Sequence, residues 1–193
     1  MDFLKDIDDY TLLVRETIEK VDKNQLNEAM NAIFDAYERG ARIYVCGNGG
    51  SASTASHMTN DFNKGICYDL EKKFDLVCLT DNIATIMAIA NDDSYDKVFV
   101  KQIEGKIRKG DLFIGISGSG NSKNVIEAVD YCKARGIEVL GISGYKGGKL
   151  YEKADYHMHC PIENMQVVED VHMMFNHMMM SIFGRKLREK ENA

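Results

Sequence analysis

The sequence predicts an α/β protein, a three-layer α/β/α sandwich on a five-stranded parallel sheet, with a helical arm ahead of it. Three observations carry that expectation. From residue 40 onward, short apolar runs alternate with segments of helical periodicity, as they do where every parallel strand is followed by a covering helix. Two of those runs end in turns rich in Gly, Ser and Asn that each open a helix. The first 39 residues show helical spacing and no strand-like run.

In the arm, Ile7, Tyr10, Leu13, Val14, Ile18, Val21, Leu26, Met30, Ile33, Phe34 and Tyr37 recur mostly at helical spacing. Asn24 reads as a break and N-cap, with Glu28 near the first turn, so two helices are expected, the second ended by Gly40. The first helix needs a cover for its apolar face, and a partner subunit is the natural one. Strands are expected at Arg42 to Cys46, Phe74 to Leu79, Asp111 to Ile116, Glu138 to Ile142 and Tyr156 to His159. Helices are expected at Ser51 to Phe62, Asn82 to Asn91, Tyr95 to Ile107, Ser122 to Arg135, Gly148 to Ala154 and Asn164 to Lys190. The last carries a Met-rich apolar stretch, read as core or subunit-interface packing; after it Gly184 to Ala193 is polar, and its end is expected to fray.

No linker or low-complexity tract divides the 193 residues, so one domain is expected over 1–193: helices over 1–39, then an α/β core with a C-terminal helix over 40–193. A net charge of −6 argues against a protein that works by neutralising nucleic-acid phosphates, and no direct nucleic-acid contact is expected. With no apolar run near membrane-span length and no signal-peptide pattern at the start, a cytoplasmic protein without membrane contact is expected. Cys46, Cys67, Cys78, Cys132 and Cys160 are scattered, odd in number and free of Cys-x-x-Cys spacing, which reads as structural thiols.

The chemistry lies in the two turns. Gly47-Asn48-Gly49-Gly50-Ser51-Ala52 fits the loose dinucleotide pattern, but the acidic residue ending the next strand, Asp81, comes roughly 30 residues on rather than about 20. No nucleotide cofactor is therefore expected. The second turn, Ser117-Gly118-Ser119-Gly120-Asn121-Ser122, supplies three hydroxyls, glycines that let backbone N–H groups approach a ligand, and Ser122 at an expected N-cap. Two such turns at strand carboxyl ends suit one phosphate monoester held between two helix N-termini.

Cys46-Gly47-Asn48-Gly49-Gly50-Ser51-Ala52 and Gly115-Ile116-Ser117-Gly118-Ser119-Gly120-Asn121-Ser122-Lys123-Asn124-Val125 resemble the sugar isomerase (SIS) domain. Over nearly its whole length the chain is similar to the phosphoheptose isomerase family. The resemblance implies a flavodoxin-like SIS fold and an aldose–ketose isomerase that converts sedoheptulose 7-phosphate to D-glycero-D-manno-heptose 7-phosphate through an enediol. It implies a homotetramer with sites near subunit contacts. On this resemblance Ser51, Ser117, Ser119 and Ser122 bind the phosphate, Asn48 and the Asn91-Asp92 pair contact sugar hydroxyls, and Gly49, Gly50, Gly118 and Glu169 also belong to the substrate-binding set.

His57 and Asp61 are spaced i, i+4 and share a helix face, a geometry for metal ligation or acid–base work. The resembling isomerases carry Glu where Asp61 stands, some of them using it as base and zinc ligand. The shorter arm sets the carboxylate back by about 1 Å, a displacement that can cost about a hundredfold in rate. The family's Gln and His, eight residues apart on the last helix, fall on Glu169 and His177, with Glu in place of Gln. Asp61 is thus the expected base and His177 its acid–base partner, with His172 as the rival histidine; His157 and His159 read as structural. The set His57, Asp61, Glu169 and His177 suits one Zn²⁺ or another first-row divalent ion per site, although eight residues span about 12 Å of straight helix. The alternative reading is a non-catalytic SIS protein, either a phosphosugar sensor or an adaptor for the bacterial replication initiator.

Overall fold

In a computed structural model that describes residues 1–191, the arm forms α1 (Leu4–Glu19) and α2 (Lys23–Glu38). The cap of α2 is Asp22 rather than Asn24: its carboxylate accepts from the backbone N–H of Asn24 at 2.8 Å and of Gln25 at 3.2 Å. An ionised acceptor in front of a helix satisfies two orphan donors and complements the positive end of the dipole, so it takes the cap and leaves Asn24 in the first turn. Gly40 follows α2 at φ +66°, a conformation suited to glycine.

Strand and helix then alternate: β1 (Arg42–Cys46), α3 (Gly50–Asn60), β2 (Asp75–Cys78), α4 (Ile83–Asp92), α5 (Val100–Ile103), β3 (Leu112–Ser117), α6 (Lys123–Lys133), β4 (Glu138–Ser143), α7 (Gly148–Lys153), β5 (Tyr156–His159) and α8 (Met165–Glu191). Two helices depart from expectation. The one expected to run through Phe62 changes at Asp61 into a π-helical segment, Asp61–Ile66. The one expected over Tyr95 to Ile107 is a 3₁₀ turn (Tyr95–Lys97) followed by the short α5. The last helix runs through Glu191, held by Lys190 Nζ on Glu38 Oε2 at 3.0 Å; the end expected to fray falls on residues 192–193, which lie outside the described residues.

All five strands are parallel, in the order β2-β1-β3-β4-β5. This is the flavodoxin-like order, whose direction of winding reverses between β1 and β3. Both faces are covered. Ile43, Val45, Leu76, Ile114 and Ile142 pack under α2, α3 and α8, whereas Tyr44, Cys46, Phe113 and Val139 pack under α6 and the segment 98–107. The strands β1 to β4 alternate their side chains between these two cores, which explains why they read as nearly continuous apolar runs.

Two apolar surfaces stay open. Although α4 is rich in Ile, Ala and Met, none of its residues is buried, and Ile83 and Met87 are 67% and 66% exposed. Phe3, just before α1, and Leu4, Ile7 and Leu12 within it are also exposed. Among the described residues, no helix is long and apolar enough to cross a membrane.

Candidate active site

The two glycine turns leave the carboxyl ends of β1 and β3 side by side, at the switch point of the sheet. Gly47 is required by close approach, because a Cβ there would lie 2.6 Å from the Ser51 carbonyl oxygen. The two loops are tied by a reciprocal amide pair: Asn48 and Asn124 each donate to the other at 2.9 Å, and the Tyr95 hydroxyl adds a third bond to Asn48 at 2.9 Å. Asn124 is almost fully buried. Reading the sequence misses it, because an Asn one residue inside a helix looks like a solvated first-turn position.

Between the loops lies a cavity of about 240 Å³ lined by Asn48, Gly49, Gly50, Ser51, Ser117, Gly118, Ser119, Ser122, Met165 and Glu169. It collects nine of the predicted substrate-binding residues. Neither Asn91 nor Asp92 lines it: they end α4, where Asn91 donates to the Asp92 carboxylate at 2.8 Å. Asn48 borders the cavity, but its amide is engaged in joining the loops. Ser122 precedes α6 with extended backbone, yet its hydroxyl meets that of Ser117 at 3.1 Å instead of capping the helix. No lysine or arginine is among the lining residues. An anion here would be held by hydroxyls and N–H groups at helix starts, the donors that suit a phosphate monoester.

A second group of side chains lies further along α3 and α8. His57 Nε2 is 3.2 Å from Asp61 Oδ2 and 3.2 Å from His177 Nε2, and His177 Nε2 is 4.0 Å from Asp61 Oδ2. Asp61 is 5% exposed, whereas the side chains of His57 and His177 are about half open to solvent. Two imidazole lone pairs and a carboxylate oxygen converging this closely suit a cation. With Zn–N and Zn–O bonds of about 2.0–2.1 Å, neighbouring ligand atoms of a tetrahedral site are about 3.3 Å apart, near the two spacings of 3.2 Å and shorter than the 4.0 Å between His177 and Asp61. The donor set fits Zn²⁺ or another borderline divalent ion, with room for a further ligand.

Glu169 is not part of this group. Its carboxylate lies against the start of α3, within 2.2–2.4 Å of where a Cβ on Gly50 would stand. Of the four residues expected to share one ion, His57, Asp61 and His177 converge, while Glu169 lines the cavity. The reason is length: α8 is one continuous helix, and eight residues carry His177 about 12 Å beyond Glu169.

The SIS domain family matches residues 7–144. Phosphoheptose isomerase 2 of Campylobacter jejuni is 34% identical to this chain over 180 residues, which is 92% of the chain and 89% of that protein. The chain belongs to the phosphoheptose isomerase family. The Aliarcobacter butzleri phosphoheptose isomerase is 35% identical over 177 residues, 90% of this chain and 93% of that one. Among solved structures, the phosphoheptose isomerase of Neisseria gonorrhoeae superposes with a TM-score of 0.85 at 28% identity, covering 94% of this chain and 98% of that one. The Francisella tularensis phosphoheptose isomerase gives the same TM-score at 25% identity, covering 96% and 100%.

The remaining candidates fall into place around that membership. His172, the rival to His177, is buried, with Nε2 3.0 Å from the Ser143 carbonyl oxygen, and burial lowers its pKa to about 4. It is a neutral core histidine. His159 Nδ1 pairs with Ser143 Oγ at 3.0 Å, and the Tyr151 ring stacks on His157 at 4.1 Å, so both are part of the packing. All five cysteines are free thiols; burial pushes Cys132 and Cys160 up to about 12 and Cys46 well above its usual value, so all three stay protonated at neutral pH.

Proposed function

We propose that this protein interconverts sedoheptulose 7-phosphate and D-glycero-D-manno-heptose 7-phosphate through an enediol. The observation that carries the reading is the placement of the serine-lined cavity and the His57–Asp61–His177 group on one face of α3. Gly50, His57 and Asp61 are seven and four residues apart, which aligns them along that face. The seven residues to His57 rise about 10 Å and the eleven to Asp61 about 16 Å, so a substrate with its phosphate in the cavity and its carbonyl end at this group is longer than a triose phosphate.

In this reading the hydroxyls of Ser51, Ser117, Ser119 and Ser122, with backbone N–H groups of Gly49, Gly50 and Gly118, hold the phosphate, and Glu169 accepts from sugar hydroxyls. Asp61 takes the proton from C1 of the ketose and returns it to C2. His177 moves the hydroxyl proton between O1 and O2. When bound by His57, Asp61 and His177, a zinc ion would supply Lewis acidity toward the carbonyl and the enediolate oxygens. A ligated Nε2 carries no proton, so zinc and proton transfer by His177 compete for the same nitrogen, and assays with and without zinc separate them.

The protein acts as a single domain over 1–193 and as a cytoplasmic homotetramer. The open apolar faces of α1 and α4 support assembly, since exposed apolar area on this scale marks contact surfaces. The test is to incubate purified protein with sedoheptulose 7-phosphate, with and without Zn²⁺, and measure the aldose product. Turnover is expected, and Asp61→Asn and His177→Gln should each lower kcat by about 10²- to 10⁴-fold while the protein stays folded. No turnover under either condition would defeat the proposal, and binding without turnover would identify a sensor.

A further inference from the structure

Asn176 is fully buried, one residue before His177, in a helix segment whose other buried residues include Phe175 and Met179. Its Nδ2 donates to Asp61 Oδ2 at 2.7 Å, while its own Oδ1 is buried without a hydrogen-bond partner. With Asp61 ionised the amide can face it only through its NH₂ group. Asn176 stands seven residues after Glu169, so both lie on one stripe of α8. Glu169 meets α3 at Gly50, and Asn176 meets it one heptad later, at Asp61.

A buried amide with an unmatched oxygen costs free energy that an apolar side chain would avoid. Packing alone therefore does not account for an Asn here. The oxygen it contacts is the one that faces both His57 and His177. A carboxylate on an Asp arm, starting where the helix widens into its π segment, needs a partner to keep that oxygen turned toward the histidines. We infer that Asn176 is a positioning residue that holds Asp61 Oδ2 in the orientation in which Asp61, His57 and His177 bind a divalent cation. The inference rests on the isomerase reading only where activity is measured.

The test compares wild type with Asn176→Leu, which keeps the bulk and removes the donor. Both are stripped of metal and titrated with Zn²⁺, followed by melting temperature, and with Co²⁺, followed by its visible absorption. Neither readout requires substrate. Loss of an outer partner of a metal ligand weakens binding by about 10- to 100-fold, and that loss is expected here, with an altered Co²⁺ spectrum. In turnover of sedoheptulose 7-phosphate, kcat should fall by a similar factor while KM stays within about threefold. Adding Asp61→Glu to Asn176→Leu should restore cation binding toward wild type, because the longer arm reaches the histidines unaided.

A folded Asn176→Leu that binds both ions within about twofold of wild type overturns the inference, as does a wild-type protein that binds neither ion. Should Asn176→Leu fail to fold, Asn176→Ser, polar but too short to reach Asp61, is titrated in its place. If that also fails to fold, Asn176 is a structural residue and the inference falls. Cation binding without sugar-phosphate turnover would sink the isomerase reading while the titrations still decide the role of Asn176.

Discussion

Replacing Gly50 with Ala should separate stability from activity. The added Cβ would stand 2.2 Å from Glu169 Oε1, 2.3 Å from its Cδ and 2.4 Å from Oε2. Ordinary contact begins near 3.4 Å, so the carboxylate must retreat by about 1.2 Å, the difference between 3.4 and 2.2 Å. It is the free end of a flexible side chain and borders a cavity, so it has somewhere to go. Gly50 does not have positive φ, so Ala strains no backbone there. Ala also favours the helix by up to about 1 kcal/mol over Gly, equivalent to about 2–4 °C in a chain of this size. Thermal melting should show Tm unchanged or raised by at most that amount. Steady-state assays should show kcat/KM lower by about a hundredfold, the scale set by a 1 Å misplacement in an active site. Glu169→Gln is the companion, since it keeps position and removes charge. Activity within about threefold of wild type in Gly50→Ala would mean that the position of the Glu169 carboxylate does not matter to turnover. A fall in Tm beyond 4 °C would refute the reasoning, since it would mean that Glu169 cannot swing clear.

Gly120→Ala should behave in the opposite way, because φ is +68° there and a Cβ would lie 1.8 Å from the Gly147 carbonyl oxygen, part of the backbone; about 2–4 kcal/mol of stability should be lost, read as a lower urea midpoint at unchanged slope. His172 should make stability depend on pH. Its folded pKa, about 4, lies below the 6.5 of an unfolded histidine, so its contribution is complete above pH 6.5 and is lost as pH falls from 6.5 to about 4. By pH 5 the loss is about 2 kcal/mol, and urea unfolding of His172→Gln, compared between pH 7 and pH 5, should show a correspondingly smaller drop than wild type.

The fold was legible because its signals are local. Each strand of a parallel sheet is apolar on both faces, and the runs at Ile43 and Leu112 differ from helical periodicity within five residues. What was not legible depends on neighbours distant in sequence. Asn24 is as good a capping residue type as Asp22, and only the backbone path shows which carbonyl side chain faces the open N–H groups. The break in the expected helix over Tyr95 to Ile107 is set by tertiary packing of Val98, Phe99 and Ile103 into the second core. At the site, both loops could be read from their residues, and the i, i+4 spacing placed His57 and Asp61 on one helix face, while their role came from the family resemblance. Placing Glu169 in the metal set could be doubted from helix rise, and within one chain its carboxylate lies at Gly50, apart from His57, Asp61 and His177. Asn176 carried a readable signal, a polar residue one heptad after Glu169 in an apolar stretch, but His177 beside it drew the chemistry. Asn91 and Asp92 had only the family pattern behind them, and their place at the end of an unburied helix puts them outside this cavity.

Helix α3 also explains why the two ends of the site are arranged this way round. Its first N–H groups open onto the serine-lined cavity, and its last turn carries His57 and leads into Asp61. A helix presents partial positive charge at its start and partial negative charge at its end. The phosphate end of a substrate is therefore matched to the positive pole. The helical backbone runs on past Asp61 through Ile66, so the negative pole lies beyond the cation-binding group. Reversing the substrate would take its phosphate off the positive pole. Glu169 sits on the positive pole, so an arriving phosphate competes with a carboxylate already there. That competition makes Glu169→Gln informative beyond its role as a control: neutralising the side chain should tighten the binding of inorganic phosphate by removing a like charge, measured as a larger Tm rise at equal phosphate concentration. An unchanged or smaller rise would show that the carboxylate does not share the anion's position.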